Sequence, residues 1–210
     1  MVGRVVLIGC PLAGTMRALD ALLFGRDDLG AANRPALLAA ARSWPALYQM
    51  LPSWLAVLQP GGQPRPIEEQ FTEEGGWPGM VGPGAGMIDP DMLARARETQ
   101  ALLAGPFSHF GPGIAVLTIL GNRQQTPVTI VRFMKELVRG SITSERGDSL
   151  VPVQRTLAWG GTPFGRTVLA LGGNVRDHGF LCEDEEVLRA IRRFLARPAP
   201  APPPAPPPIV

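Results

Sequence analysis

Three short apolar runs dominate the hydrophobic pattern of this chain. They are residues 2–9 (VGRVVLIG), 114–121 (IAVLTILG) and 166–171 (RTVLAL), and each ends in or beside glycine. Continuous runs rich in β-branched residues are typical of parallel strands with both faces covered. The pattern therefore predicts an α/β fold with about three parallel strands, the first two of them buried on both faces.

Helical periodicity fills much of the sequence between these runs. It predicts helices at Met16–Phe24, Pro35–Arg42, Trp44–Met50, Pro90–Ala104, Pro152–Trp159 and Glu183–Leu195. The last helix begins with acidic residues and ends with arginines, and its predicted buried stripe is Val187, Ile191, Phe194 and Leu195. Residues 128–138 and 141–145 suit a pair of strands turning at 139–140, although a short helix over 131–139 is an alternative.

Residues 34–112 differ in character from the flanking sequence. Short helices surround the Gly- and Pro-rich stretch 59–88, and the large apolar residues Trp44, Tyr48, Trp54 and Trp77 concentrate here. An insertion of this kind between core strands is typical of a cap or lid. An equally good interpretation is that these aromatics form a small core of their own. The predicted organisation is a core in 1–33 and 113–197, a cap in 34–112 and a solvated proline-rich tail in 198–210.

Composition excludes several classes of function. With 210 residues, 45% hydrophobic and 18% charged, the chain suits one globular domain. Its net charge of +2 is scattered, so no nucleic-acid surface is expected. No signal peptide and no apolar run of about eighteen residues appear, so we expect no membrane span and, by default, a cytoplasmic protein. Cys10 and Cys182 are expected to be reduced thiols, and no cofactor or metal site is predicted.

Two loops carry the candidate chemistry. The turn 147–152 (GDSLVP) holds Asp148, and the loop 176–181 (RDHGFL) holds His178. An acid followed by a strand and then a histidine is the order of the last two members of a Ser…Asp…His triad. Asp148 would orient the imidazole of His178, which would act as the base. His109 precedes the second strand, where this order places no histidine.

Simpler interpretations exist for both residues. Asp148 suits an ordinary turn aspartate that hydrogen-bonds the backbone, and His178 suits a residue that approaches a helix and is capped by Asp177. The order and spacing of the two together favour the catalytic interpretation.

The nucleophile is missing from this pattern. No serine stands in G-x-S-x-G, and Ser149 comes nearest but lacks the second glycine. Cys10 follows a strand, but Pro11 beside it has no N–H with which to form an oxyanion hole. The chain also opens inside a predicted folded element, so a preceding part that carries the serine is expected.

The residues that carry these features resemble a known family. Residues 5–15 (VVLIGCPLAGT), 42–52 (RSWPALYQMLP) and 147–152 (GDSLVP), together with His178, are similar to the lecithin–cholesterol acyltransferase-like family of α/β-hydrolases. The similarity extends to about Leu195 and covers only the part of that family that follows the nucleophile. Cys10 stands where that family usually has Thr, and Ser149-Leu150 replaces a more common Gly-Thr.

The resemblance implies the C-terminal portion of an α/β-hydrolase sheet with a helical cap insertion. It implies a lipid-type acyltransferase or an esterase/lipase acting on a lipid or acyl ester, with Asp148 and His178 as triad acid and base. The serine would come from an N-terminal half outside this chain, which would be inactive alone. The alternative is a non-catalytic α/β module that pairs with another chain.

Overall fold

The protein is described by a computed structural model over residues 3–25, 34–58, 63–67, 88–104, 114–133, 136–138, 143–158, 166–171 and 177–198. It is a mixed α/β structure. The strands are β1 (Arg4–Ile8), β2 (Val57–Leu58), β3 (Pro64–Arg65), β4 (Ala115–Gly121), β5 (Gln124–Pro127), β6 (Ile130–Phe133), β7 (Glu136–Val138), β8 (Ser144–Gly147) and β9 (Arg166–Leu171). The helices are α1 (Met16–Phe24), α2 (Arg34–Ser43), α3 (Pro45–Gln49), α4 (Pro90–Ala104), α5 (Val153–Ala158) and α6 (Glu185–Leu195).

The three apolar runs form one parallel sheet in the order β1-β4-β9, which confirms the three predicted strands. In the register, Ile8 of β1 lies opposite Ile119 of β4, and Thr118 of β4 lies opposite Val168 of β9. Strands adjacent in this sheet are separated by long crossovers along the chain, as parallel pairing requires. The sheet therefore brings together loops that are far apart in sequence.

Burial differs between the two strands that were expected to be fully covered. β4 is buried at six of its seven residues, in agreement with the prediction. β1 is only half-buried at each of its five residues, so the expectation of burial on both faces is wrong for β1. The reason is position, because among the described residues β4 lies between two strands and β1 pairs on one side only.

The other two sheets have the strand orders β3-β2-β6-β7 and β5-β8, and they differ from the predicted strand pair. Residues 128–138 contain two strands, β6 and β7, which pair antiparallel with each other, whereas β8 pairs antiparallel with β5. The sequence of β5 is QQTP, which carries little strand propensity and therefore no signal of this pairing. Gly147 permits the close approach of β8 to β5, since a Cβ there would lie 2.2 Å from Thr126 Oγ1.

The predicted helices are present with similar bounds, and those of α1 and α4 are identical to the prediction. Asp184 caps α6 by accepting the N–H groups of Glu186 and Val187. Val187 and Phe194 are buried on the core side of α6, but Leu195 is 50% exposed. The buried stripe is thus narrower than predicted.

Large apolar residues of the predicted cap pack against α1. Tyr48 and Leu51 are fully buried in a cluster that includes Leu19 and Leu22. The Tyr48 hydroxyl donates to the Arg42 carbonyl at 2.8 Å and accepts the Asp89 N–H at 3.1 Å. Among the other aromatics, Trp44 is exposed, Trp54 is half-buried and Trp77 lies outside the described residues. Part of the predicted cap is therefore attached to the first helix of the core.

Candidate active site

Asp148 lies in the turn that follows β8 and is 1% exposed. One carboxylate oxygen, Oδ1, accepts the N–H of Leu150 at 3.1 Å and the N–H of Val151 at 2.7 Å. These two backbone donors fix the carboxylate and offset part of the cost of burying it. The second oxygen is left for a different partner.

His178 opens a short 3₁₀ turn, His178–Phe180, that precedes α6. Its backbone N–H donates to the Asp148 carbonyl at 2.9 Å and to the Asp177 carboxylate at 2.6 Å. The expected cap by Asp177 is thus present. The same backbone bonds tie the histidine loop to the acid turn, which leaves the imidazole beside the carboxylate.

The side chains of the two residues form a hydrogen-bonded dyad. Nδ1 of His178 lies 2.9 Å from Oδ2 of Asp148. An ionised carboxylate only accepts, so Nδ1–H donates and the neutral ring keeps its acceptor at Nε2. The ring makes no other hydrogen bond within the described part of the chain, and the side chain is 32% exposed. A base oriented in this way can take a proton from a group that approaches Nε2.

The pKa of His178 is raised above its ordinary value of 6.5. The main cause is the hydrogen bond to Asp148, which burial of the ring opposes and the charges of Asp148 and Asp177 reinforce. The carboxylate therefore stabilises the imidazolium that forms when His178 accepts a proton.

Two glycines lie beneath the dyad at the carboxyl ends of neighbouring strands. A Cβ at Gly121 would lie 2.8 Å from Asp148 Cβ, and a Cβ at Gly9 would lie 2.8 Å from His178 Cε1. Gly9 also has a φ of +56°, which a side chain disfavours. Both positions thus require glycine for the acid and the base to fit.

Ser149 connects the two loops and was not singled out by the sequence for this role. Its φ is +74°, in the left-handed region that favours glycine, and its N–H donates to Thr126 Oγ1 at 3.0 Å. Its hydroxyl hydrogen-bonds the Asp177 carboxylate. The available signal was the serine itself, because the family that the chain resembles more commonly has Gly here. A serine adds a hydroxyl to a strained turn.

Thr15 joins the loop after β1 to the acid turn. Its hydroxyl donates to the Leu150 carbonyl at 2.7 Å and accepts the Arg17 N–H as the N-cap of α1. Its backbone N–H donates to the Met50 carbonyl at 2.8 Å. The three segments 5–15, 42–52 and 147–152 therefore meet at one place beside the dyad.

A cleft of about 330 Å³ borders Ser149 and the start of α1. Its walls are mostly apolar, and the residues that line it include Met16, Arg17, Leu19, Asp20, Pro127 and Ile130. The described structure thus places a groove of mixed lining, which also includes Gln125, next to the acid turn.

Three of the four described serines hydrogen-bond elsewhere, and the fourth, Ser144, is exposed in β8. The hydroxyls of Ser43 and Ser53 donate to backbone carbonyls, and Ser149 bonds Asp177. Burial raises the pKa of the Cys10 thiol, which opposes formation of a thiolate and agrees with its exclusion as a nucleophile. Ser108, Ser141 and the competing His109 lie outside the described residues.

In the described ranges, no group of His, Cys, Asp and Glu side chains is arranged to hold a metal ion. Within the same ranges, no helix is both long and apolar enough to cross a bilayer. A scan against models of protein families gave no match, and a search among curated proteins gave no significant match.

Proposed function

We propose that Asp148 and His178 are the acid and base of a serine-type acyl-transfer centre whose nucleophile lies outside this chain. The observation that carries the proposal is the 2.9 Å bond between His178 Nδ1 and a buried carboxylate held by two backbone N–H groups. Apart from its nucleophile, a triad needs a carboxylate, an imidazole with an open Nε2 and strand ends that hold both in place.

In this centre His178 Nε2 removes the proton of the external serine while the serine oxygen forms a bond to the acyl carbonyl carbon. The leaving alcohol then takes the proton from His178, and an acyl-serine remains. Water or a second alcohol next gives its proton to His178 and attacks the acyl carbon of the acyl-serine. His178 then returns that proton to the serine oxygen as the acid or new ester is released. Asp148 holds the ring and stabilises the imidazolium at each step.

The assignment to an α/β-hydrolase, and within that class to a lipid acyltransferase or esterase/lipase, is part of the proposal. The parallel order β1-β4-β9 supports it. Asp148 lies between the middle and last strands along the chain and packs against the end of β4, and His178 follows the last strand. Convergence of the three family-like segments beside the dyad supports it further. The cleft at Ser149 exposes more apolar than polar surface, which is compatible with an acyl group.

The dyad is tested by proton NMR of His178 across a pH titration. We expect a titration midpoint above 6.5 and a downfield Nδ1–H resonance. Asp148→Asn should lower the midpoint and remove the resonance. Asp177→Asn removes only a weaker charge that raises the pKa of His178, so it should lower the midpoint less. A midpoint that is unaffected by Asp148→Asn would rule the dyad out.

Hydrolysis of p-nitrophenyl butyrate tests the external nucleophile. The purified chain should release no p-nitrophenolate above the buffer rate, because no described hydroxyl reaches His178. Turnover that is lost in His178→Ala would show that the chain holds its own nucleophile and would overturn that part of the proposal.

A further inference from the structure

A second cleft, of about 280 Å³, lies between helix α6 and the parallel sheet. Three of the residues that line it are Arg189, Arg193 and Arg197. Arg189 and Arg193 lie one helical turn apart on the same face of α6, and Arg197 continues this row just beyond the last turn. Arg192 is also exposed on α6 but is not among the residues that line the cleft.

The floor of this cleft is apolar. Leu117 of β4 forms it together with Ala190 and Phe194 of α6. Leu117 and Phe194 are buried in the cluster that joins the helix to the sheet, so the floor is part of a packed core. The volume is near the lower end of the range for small-molecule sites, about 300–1,000 Å³. A ligand that fits is therefore short and has an apolar part that can lie on this floor.

Much of the positive charge at the cleft lacks a counter-charge in the described part of the chain. Arg189 lies 3.9 Å from the Glu185 carboxylate, whereas Arg193 and Arg197 form no ion pair with any described side chain. Like charges one turn apart repel each other, and an anion placed between them removes that cost. The helix dipole favours cations near the end of α6, but it does not explain why three of them line one cleft.

The charge along the cleft is asymmetric. Glu186 lines it near the start of α6, and Arg193 and Arg197 line it at the other end. An anionic head is repelled by Glu186 and attracted by the two guanidinium groups, whose planar N–H donors match the oxygens of a carboxylate or a phosphate. The pattern thus directs an anionic head toward the end of α6.

The arginine end of the cleft is distant from the dyad. Arg4, the first residue of β1, donates to the Leu195 carbonyl at 3.0 Å, so the end of α6 lies at the amino end of this strand. Gly9, at the carboxyl end of the same strand, lies against His178. A strand of this length separates the two ends by roughly 16 Å. The cleft is therefore a different site from the proposed catalytic centre.

We infer that this cleft binds a free, short-chain amphiphile with an anionic head, either a carboxylate or a phosphate ester. Arg193 and Arg197 bind the head, and the chain lies on Leu117, Ala190 and Phe194. The inference does not depend on the proposed function, because it requires neither the dyad nor a nucleophile.

Methyl NMR titration of the full chain tests this binding, with the methyl groups of Leu117 and Ala190 as reporters. Hexanoate and hexyl phosphate should shift both resonances to saturation, and the tighter of the two identifies the preferred head. 1-Hexanol lacks the charge and inorganic phosphate lacks the chain, so each should bind at least about tenfold more weakly.

Three results of this titration would overturn the inference. The first is the absence of saturable shifts with either anion. The second is inorganic phosphate that binds as tightly as hexyl phosphate, because the apolar floor would then contribute nothing. The third is a set of shifts at Met16 and Ile130 in place of those at Leu117 and Ala190, which would put the ligand in the cleft beside the acid turn.

Matched arginine variants identify the contacts to the head. Arg193→Gln and Arg197→Gln should each weaken hexanoate binding by at least about tenfold. Arg192→Gln removes the same charge from the same helix outside the cleft, so it should weaken binding by less than about twofold. Equal losses in all three variants would indicate attraction to the overall charge of α6 and would contradict the site.

A second matched pair tests the apolar floor. Ala190→Leu fills the cleft and should abolish the shift at Leu117, whereas Ala196→Leu adds the same volume at an exposed position outside the cleft and should bind normally. Unchanged binding in Ala190→Leu would rule the floor out. If Ala190→Leu fails to fold, the exposed arginine variants decide.

Discussion

Strands β4 and β1 are chemically alike but differ in their surroundings. Both are runs of aliphatic residues, and Ile119 of β4 lies in register with Ile8 of β1. Ile119 is fully buried with a strand on either side, and Ile8 is half-buried on a strand that, within the described ranges, pairs on one side only. The comparison shows that an apolar sequence alone does not predict how deeply a strand is buried, because burial depends on the elements that pack beside it.

The largest expected effect tests this difference in burial directly. Ile119→Ala should lower the free energy of unfolding by about 2–5 kcal/mol, since it leaves a cavity in a closed core. Ile8→Ala should cost about half as much or less, because its side chain is already partly in water. Urea unfolding of the two variants measures both values. Equal losses would mean that the edge of β1 is covered in solution.

A second prediction concerns the strand end beneath the base. Gly9→Ala forces a side chain into a left-handed conformation and against the His178 ring, so it should cost about 1–3 kcal/mol. It should also displace the ring from Asp148 and shift the Nδ1–H resonance. Gly3→Ala is the control, since a Cβ there meets nothing within 4 Å. Identical urea midpoints for the two variants would contradict the close contact.

The third prediction is a pH dependence of stability. The folded pKa of His178 is above its ordinary value, so its contribution to stability is full below about pH 6.5 and is lost as pH rises through the raised pKa. Urea unfolding across this window should show the loss, and Asp148→Asn should flatten it. In the completed centre, activity should rise over the same window because the base must be neutral. A flat profile in the unmodified chain would exclude the interaction.

The smallest expected effect is at Ser149. Ser149→Gly relieves the left-handed strain and loses the hydroxyl bond to Asp177, so stability should change by less than about 1 kcal/mol. Ser149→Ala loses the bond and keeps the strain, and it should be the least stable of the three. Thermal unfolding ranks them. An alanine variant as stable as the glycine variant would argue against strain at this position.

Much of the architecture followed from periodicity. The three parallel strands, the bounds of α1 and α4, and the approach of Asp148 to His178 were predictable because each rests on a local pattern or on chain order. The β5–β8 pair was not predictable, since the sequence QQTP has no strand signature and its pairing depends on the close approach at Gly147.

The supporting contacts of the site were harder to predict for a different reason. Ser149 to Asp177 spans 28 residues and Thr15 to Leu150 spans 135, so neither leaves a periodic trace in the sequence. The partial burial of β1 was equally hard to predict, because its composition is the same as that of the central strand β4.

Thr15 links the start of helix α1 to the turn that holds Asp148. A single hydroxyl caps α1 and binds the Leu150 carbonyl of the acid turn, and it is 2% exposed. The helix whose residues Met16 and Leu19 line the cleft is thereby hydrogen-bonded at its start to the turn that holds Asp148. One buried hydroxyl therefore fixes both a wall of the cleft and the loop that orients the base.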